Sequence, residues 1–275
     1  DKPDALVDVT LQRLAYVRAN SVVPDRDSLY AQALDTLRAR LANDTCYAEV
    51  SYAMALWHQE QGAKYQRSGG DTWKWENRTA RSLCEEGVAR FPGSFGAQRC
   101  VQLKAQLEYP ALRLLAEEAT APDQAFSIGV YYRNVQRVGV RVVRIMGDEE
   151  PVRNELEKWL LGQKPVREWT IELPDDGDLN EHLIELPVAA LPASQYAILV
   201  ARDGVFRAAQ GAQAHTFFWV TGSAITHRTT PQASESIVQD RTSGVPLKGV
   251  KVQRWKRTAQ WAPQSTHELD GEALT

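Results

Sequence analysis

Ala125-Phe126-Ser127-Ile128-Gly129-Val130-Tyr131-Tyr132 and, a few residues on, Val138-Gly139-Val140-Arg141-Val142-Val143-Arg144-Ile145 decide the fold. Both runs are rich in β-branched and aromatic residues, and apolar side chains recur every second position. A strand half-buried on one face needs that period, because its successive side chains point to opposite sides. Further strand-like stretches follow at Trp169–Leu173, His182–Leu186, Tyr196–Ala201 and Thr216–Val220. Between them lie turn residues such as Pro174-Asp175-Asp176-Gly177-Asp178, and Pro151–Leu161 reads as a short helical insert or a long connection. Short strands joined by turns predict an antiparallel β-sandwich over residues 111–232. Phe126, Ile128, Val130, Ile198, Val200 and Phe218 should point inward. Arg137 and Arg141 share strand parity and read as a solvated sheet face.

Upstream of this switch the period is helical. Ala5–Asn20 carries Leu6, Val7, Leu11, Leu14, Ala15 and Val17 at close to 3.6-residue spacing. The next segment opens at Asp27, a residue suited to an N-cap, and aligns Leu29, Leu34, Leu37 and Leu41. Ala48–Gln61 follows, with Ala48, Ala53 and Ala55 small enough to admit a neighbouring helix. Thr79–Phe91 and Ser94–Glu108 are joined by Pro92-Gly93, a turn that stops a helix sharply. Ala80, Cys84, Gly87 and Pro92 occupy positions where a tetratricopeptide-like repeat keeps small residues. Residues 1–110 therefore read as a helical-hairpin, tetratricopeptide-like domain, and the fold class is α+β multidomain.

A third unit opens at residue 233, with a strand at Ser236–Asp240, a Gly/Pro turn and a strand at Val250–Trp255. Residues 233–275 are too few for a sandwich of about 100 residues and read as the incomplete start of one. Something must then cover Ile237, Val250, Val252 or Trp255, because an isolated hairpin is marginal in water. The expected cover is the preceding sandwich and the helices.

Composition excludes several classes. The chain has 275 residues, 32 Lys+Arg against 35 Asp+Glu, and 43% hydrophobic content, which is ordinary globular usage. The charges are spread evenly, so no basic face favours a nucleic acid. No apolar run is long enough to span a bilayer, and the opening Asp1-Lys2-Pro3-Asp4 does not read as a signal peptide.

The search for chemistry gives no catalytic, cofactor-binding or metal residues. His58, His182, His215, His227 and His267 are too far apart in sequence for a local zinc pair. Asp175, Asp176 and Asp178 lack the spacing and distal Glu of a calcium loop and read as a turn. Two features remain. Cys84 and Cys100 lie eight residues either side of Pro92, so a symmetric hairpin brings them to the same height. They read either as small buried hydrophobes or as a disulfide contributing about 3 kcal/mol. Trp57, Tyr65, Trp73 and Trp75 flank the Gly69–Asp71 loop, either stapling it to the helices or offering aromatic faces to a partner.

Several motifs in order resemble one family. Asp240-x-x-x-Gly244-x-Pro246-Leu247-x-Gly249-Val250-x-Val252 is similar to a hairpin of bacterial macroglobulin-like sandwiches. Leu191-Pro192-Ala193-Ser194-Gln195-Tyr196-Ala197-Ile198-Leu199-Val200 and Phe218-Trp219-Val220-Thr221-Gly222-Ser223-Ala224-Ile225 resemble strands of that domain. Cys84, Phe91-Pro92-x-Ser94-x-Gly96-Ala97 and Cys100 resemble the helical segment before it, and Tyr132-Arg133-Asn134-Val135 the strand end after. The chain thus resembles an N-terminal part of a bacterial alpha-2-macroglobulin family protein with immunoglobulin-like/macroglobulin-like sandwiches. That resemblance implies an exported, periplasmic or outer-membrane-anchored envelope protein that inhibits peptidases by trapping them. The family's thioester tetrapeptide, Cys-Gly-Glu-Gln, is absent here, so the trapping machinery is expected outside these residues. The alternative is an adaptor whose helices bind a protein or peptide partner, and an exposed concave Trp/Tyr groove would favour it.

Overall fold

The computed structural model describes residues 3–145, 155–174, 177–207, 212–229, 234–257 and 267–275. The chain divides into two compact units: residues 1–110 with 174–181, and 111–173 with 182–275.

The first unit is built from α1 (Pro3–Asn20), α2 (Arg26–Arg40), α3 (Tyr47–Gly62), α4 (Glu76–Arg90) and α5 (Phe95–Glu108). Consecutive helices pack against one another, and α5 also returns onto α3. The core gathers Leu34, Leu37, Val50, Met54, Leu83, Leu103 and Leu107. Where α3 meets α4 and α5, the residues are small: Ala48, Ala55, Ala80, Cys84, Gly87, Ala97 and Cys100 are all buried. Gly96 is tightest of all. A Cβ there would lie 2.2 Å from the Glu49 nitrogen and 2.4 Å from the Ala48 carbonyl carbon. Ser94 caps α5, its hydroxyl accepting from the Ala97 N–H at 3.2 Å, an arrangement worth about 1 kcal/mol.

Three sequence expectations for the helices need correction. Asp27 is not an N-cap: α2 begins at Arg26, and Asp27 lies in its first turn. Leu29 stands about 140° around the helix from Leu34 and is half exposed. In α1, Val7 is buried, whereas Leu6 and Val17 face outward. The turn read at Pro174–Asp178 lies in the segment 174–181, which groups with the helical unit. Leu179 enters its core. Asn180 Nδ2 donates to the Lys74 carbonyl at 2.8 Å, and Asn77 Nδ2 donates to Asn180 Oδ1 at 2.9 Å. Asp178 is buried and accepts from the Asn180 N–H at 2.9 Å; Asp175 and Asp176 lie outside the described residues.

The second unit is a sandwich. One sheet orders β1 (Ala111–Leu115), β3 (Phe126–Arg133) and β6 (His182–Val188). The other orders β2 (Ala119–Thr120), β8 (Gln213–Val220), β7 (Ser194–Arg202), β4 (Arg137–Ile145) and β5 (Pro165–Glu172). All pairs are antiparallel except the two-residue contact of β2 with β8. Ile128, Val130, Ile198, Val200 and Phe218 lie in the core between the sheets, and Phe126 packs at its margin. In the β4–β7 register Val140 opposes Val200 and Val142 opposes Ile198. Tyr196 stacks on Phe218 at 5.8 Å and donates its hydroxyl to the Pro192 carbonyl at 2.9 Å, closing the entry to β7.

The reverse face of β4 and β7 is also covered. Val143, Ala197 and Leu199 pack with Leu160 of α6 (Leu156–Gly162) and with Phe206. That second layer explains why Tyr196–Ala201 is a continuous apolar run rather than an alternating one. Arg137 and Arg141 pair with Glu172 and Glu168 of β5 at 3.4 and 3.0 Å.

Beyond the sandwich, β9 (Ser223–Thr229) pairs with β10 (Ser234–Asp240), and β11 (Lys251–Arg257) with β12 (His267–Leu274), each as a two-stranded sheet. The turn after β10 forms as its residues require. Asp240 Oδ1 accepts from the Thr242 and Ser243 N–H groups at 3.2 and 2.8 Å, and Gly244 sits at φ 71°, where a side chain is costly. The cover expected over this segment is partial among the described residues, with Val250 and Val252 half-buried. Val238 is buried, but Ile237 and Trp255 remain 55% and 54% exposed.

The Gly96 contact gives a direct test. Gly96→Ala should destabilise the helical unit by about 3 kcal/mol, because the added methyl meets backbone rather than a yielding side chain. The expected result is a lower urea midpoint in its helical signal at unchanged slope.

A groove lined by four helices

The side of α3 that carries Glu49, Tyr52 and Leu56 lines a groove of ≈ 1320 Å³ within the helical unit. Glu49, Tyr52, Ala53, Leu56, Trp57 and Glu60 contribute from α3. Opposite them α1 presents Asp4, Asp8, Leu11, Ala15 and Arg18. Tyr30 of α2 and Phe95 and Arg99 of α5 complete the wall. The spacing on α3 is helical, with positions 49, 52, 53, 56 and 60 recurring on one side.

The two ends of the groove differ electrically. At one end Arg18 bonds Asp27 and Glu60, each at 2.7 Å, and lies over the Tyr30 ring at 5.0 Å. Lys64 adds a contact to Asp27 at 3.7 Å. The Arg18 hydrogen bond holds the Asp27 carboxyl below its usual range. At the other end Asp4, Asp8 and Glu49 form no ion pair among the described residues. Burial, followed by the charges of Asp4 and Asp8, pushes the Glu49 carboxyl up. Arg99, the base on this side, stacks over Tyr52 at 4.0 Å and Phe95 at 5.7 Å.

Of the aromatics singled out in the sequence, Trp57 lines the groove. Tyr65 and Trp73 are half-buried, Trp73 lying 5.1 Å from the Lys64 ammonium. Trp75 is exposed beside Lys74 and Arg78. Tyr30, Tyr52 and Phe95, which the sequence reading did not single out, are the other groove aromatics. Each stands alone in sequence, and only the packing of three helices gathers them.

Cys84 and Cys100 are buried, free thiols. Hydrogen bonding to Cys100 and burial push the Cys84 thiol up, and Cys100 Sγ also donates to the Ala48 carbonyl at 3.7 Å. Asp4, Asp44 and Cys46 bring ligand-type atoms within 4.8 Å of one another. They already satisfy each other: Cys46 Sγ donates to Asp4 at 3.0 Å, and the Cys46 N–H to Asp44 at 2.8 Å. Burial raises the Cys46 thiol, which keeps its proton.

Glu49 predicts a pH effect of definite sign. Its folded pKa lies above the unfolded one, so the ionised form costs stability at neutral pH. That cost fades as pH falls through the folded value toward the ordinary glutamate range. Glu49→Gln should therefore raise the melting temperature at pH 7, and the gain should disappear toward pH 4. Melting curves across that range provide the check.

The class defined so far is an α+β multidomain chain, a helical-hairpin unit with a charged, aromatic groove followed by a β-sandwich. No family model matches the sequence, and no curated protein matches it. Among solved structures, the chain is similar to native alpha-2-macroglobulin from Escherichia coli spanning domains MG0-NIE-MG1. The TM-score is 0.41 at 14% identity, over 60% of this chain and 57% of that one. The NIE-MG1 fragment of the same protein gives TM-score 0.39 at 13% identity, over 61% of this chain and 86% of that one. The N-terminal part of the bacterial S-layer protein SbsC gives TM-score 0.23 at 8% identity, over 98% and 74%. The chain thus spans little more than half of the first of these structures. No helix among the described residues is long and apolar enough to cross a membrane.

Proposed function

We propose that this chain is a non-enzymatic, protein-binding part of a macroglobulin-like envelope protein, and that its helical groove takes a polypeptide segment of a partner. The observation that carries the reading is the groove itself. Its ≈ 1320 Å³ exceeds the roughly 300–1,000 Å³ of a small-molecule site. Its walls combine aliphatic side chains, four aromatics and charges of both signs, the mixture found where amphipathic segments dock.

The macroglobulin part of the reading rests on the order of motifs in the sequence. It is also supported by the Asp240–Gly244 turn, which forms with its glycine at positive φ. Location in the cell envelope and a share in peptidase inhibition follow from that resemblance and belong to the proposal. The groove does not depend on them.

Ala15 is exposed and faces into the groove, so Ala15→Trp fills it with little cost to the fold. A displayed library of random dodecapeptides, panned on the intact chain, should yield clones that bind wild type. Those clones should lose at least ten-fold in affinity for Ala15→Trp, equivalent to about 1.4 kcal/mol. No clones, or clones indifferent to Ala15→Trp, would overturn the reading.

A further inference from the structure

We infer that the groove selects a segment carrying a lysine or arginine side chain, which seats at the end lined by Asp4, Asp8 and Glu49 while its apolar neighbours lie against Leu11, Tyr52 and Leu56. The inference deepens the proposed function and rests on it.

The argument is one of charge complementarity along a single groove. At the α2 end, Arg18, Lys64, Asp27 and Glu60 pair among themselves, and Arg26 donates to the Ser21 carbonyl at 2.9 Å. A ligand charge there meets groups already compensated. At the opposite end three carboxylates face Arg99, the one base among the described residues that line it. Asp4 accepts from the Cys46 thiol and Asp8 from Gln12 Nε2 at 2.9 Å, and both of these donors are neutral. Arg99 is held over two aromatic rings rather than in a salt bridge. Among the described residues, two negative charges therefore remain without a counterpart, beside the partly buried Glu49. A cation brought there gains an attraction strengthened by the low-dielectric wall, and like charges in the ligand are excluded by the same field. Leu11 and Tyr52, each three residues along its helix from Asp8 and Glu49, adjoin this end, and Leu56 follows one turn further on, so the stem of a long basic side chain has apolar surface to lie on.

The test uses the peptides selected on the intact chain. Lysine and arginine should be enriched over the starting library next to leucine or an aromatic residue. For a chosen peptide, replacing that lysine by norleucine should lower affinity at least five-fold. Glu49→Gln and Asp8→Asn should each lower it as well, and should leave the norleucine peptide unaffected. Both variants are to be checked for unchanged helical content. Peptides that bind, lose affinity with Ala15→Trp and yet show no basic bias would overturn this inference while leaving the proposed function standing. Loss on acetylating the peptide's N-terminus, without loss on norleucine replacement, would also overturn it, since the cation recognised would be the terminal ammonium. Absence of any Ala15→Trp-sensitive peptide would remove both.

Discussion

The helical unit depends on how closely α3 can approach α5. Gly96 has no side chain to hold the two apart, and α3 backbone occupies the space where a Cβ would stand. Around that point the seam stays small, through Ala48, Ser51, Gly87 and Cys100. Little area is buried per residue there. The gain comes from dispersion contacts at near-crystalline density, which fall away steeply when surfaces separate. Because one side of α3 is fixed in this way, the other side is presented as a rigid wall. Tyr52, Leu56 and Trp57 therefore line the groove from a helix that cannot rotate without clashing.

The sandwich is held by a different constraint, the burial of β4 and β7 on both faces. Val140, Val142, Ile198 and Val200 meet β3 and β6 on one side, while Val143, Ala197 and Leu199 meet α6 on the other. Two central strands enclosed in this way hold register strongly, since a slip by one residue would exchange the contents of two packed layers. The outer hairpins lack that enclosure, and Ile237 and Trp255 stay exposed. Their order comes from local chemistry, such as the Asp240 carboxylate receiving two backbone N–H groups.

Much of this architecture could be read in the sequence because it is written locally. The alternation from Phe126 to Tyr132 places Ile128 and Val130 inside. Phe91-Pro92-Gly93-Ser94 stops one helix and caps the next. Small residues at positions 80, 84 and 87 mark the helix contact, although the closest approach occurs at Gly96, which periodicity cannot rank. β1 and β2 are too short for an alternation to emerge, and the two-residue parallel contact of β2 has no sequence signature. The segment 174–181 looks like any Asp/Gly turn until Asn77 and Lys74, about a hundred residues away, are found bonded to Asn180. The groove is legible only in part for the same reason. Trp57 stands in an obvious aromatic cluster, whereas Tyr30, Tyr52 and Phe95 come together through packing alone. Likewise Asp27 carries the residue type of a cap but serves as the partner of Arg18.

The division of labour on α3 bears on how such a chain can diversify. Its position is set by side chains that are missing or minimal, on the face away from the groove. Substitutions in the wall leave the Gly96 contact itself in place, although Tyr52, Ala53 and Leu56 also pack against the helical core. Recognition and the closest packing thus draw on different sides of one helix. The same separation makes the helix a graft site, where new binding faces can be installed on an unchanged back.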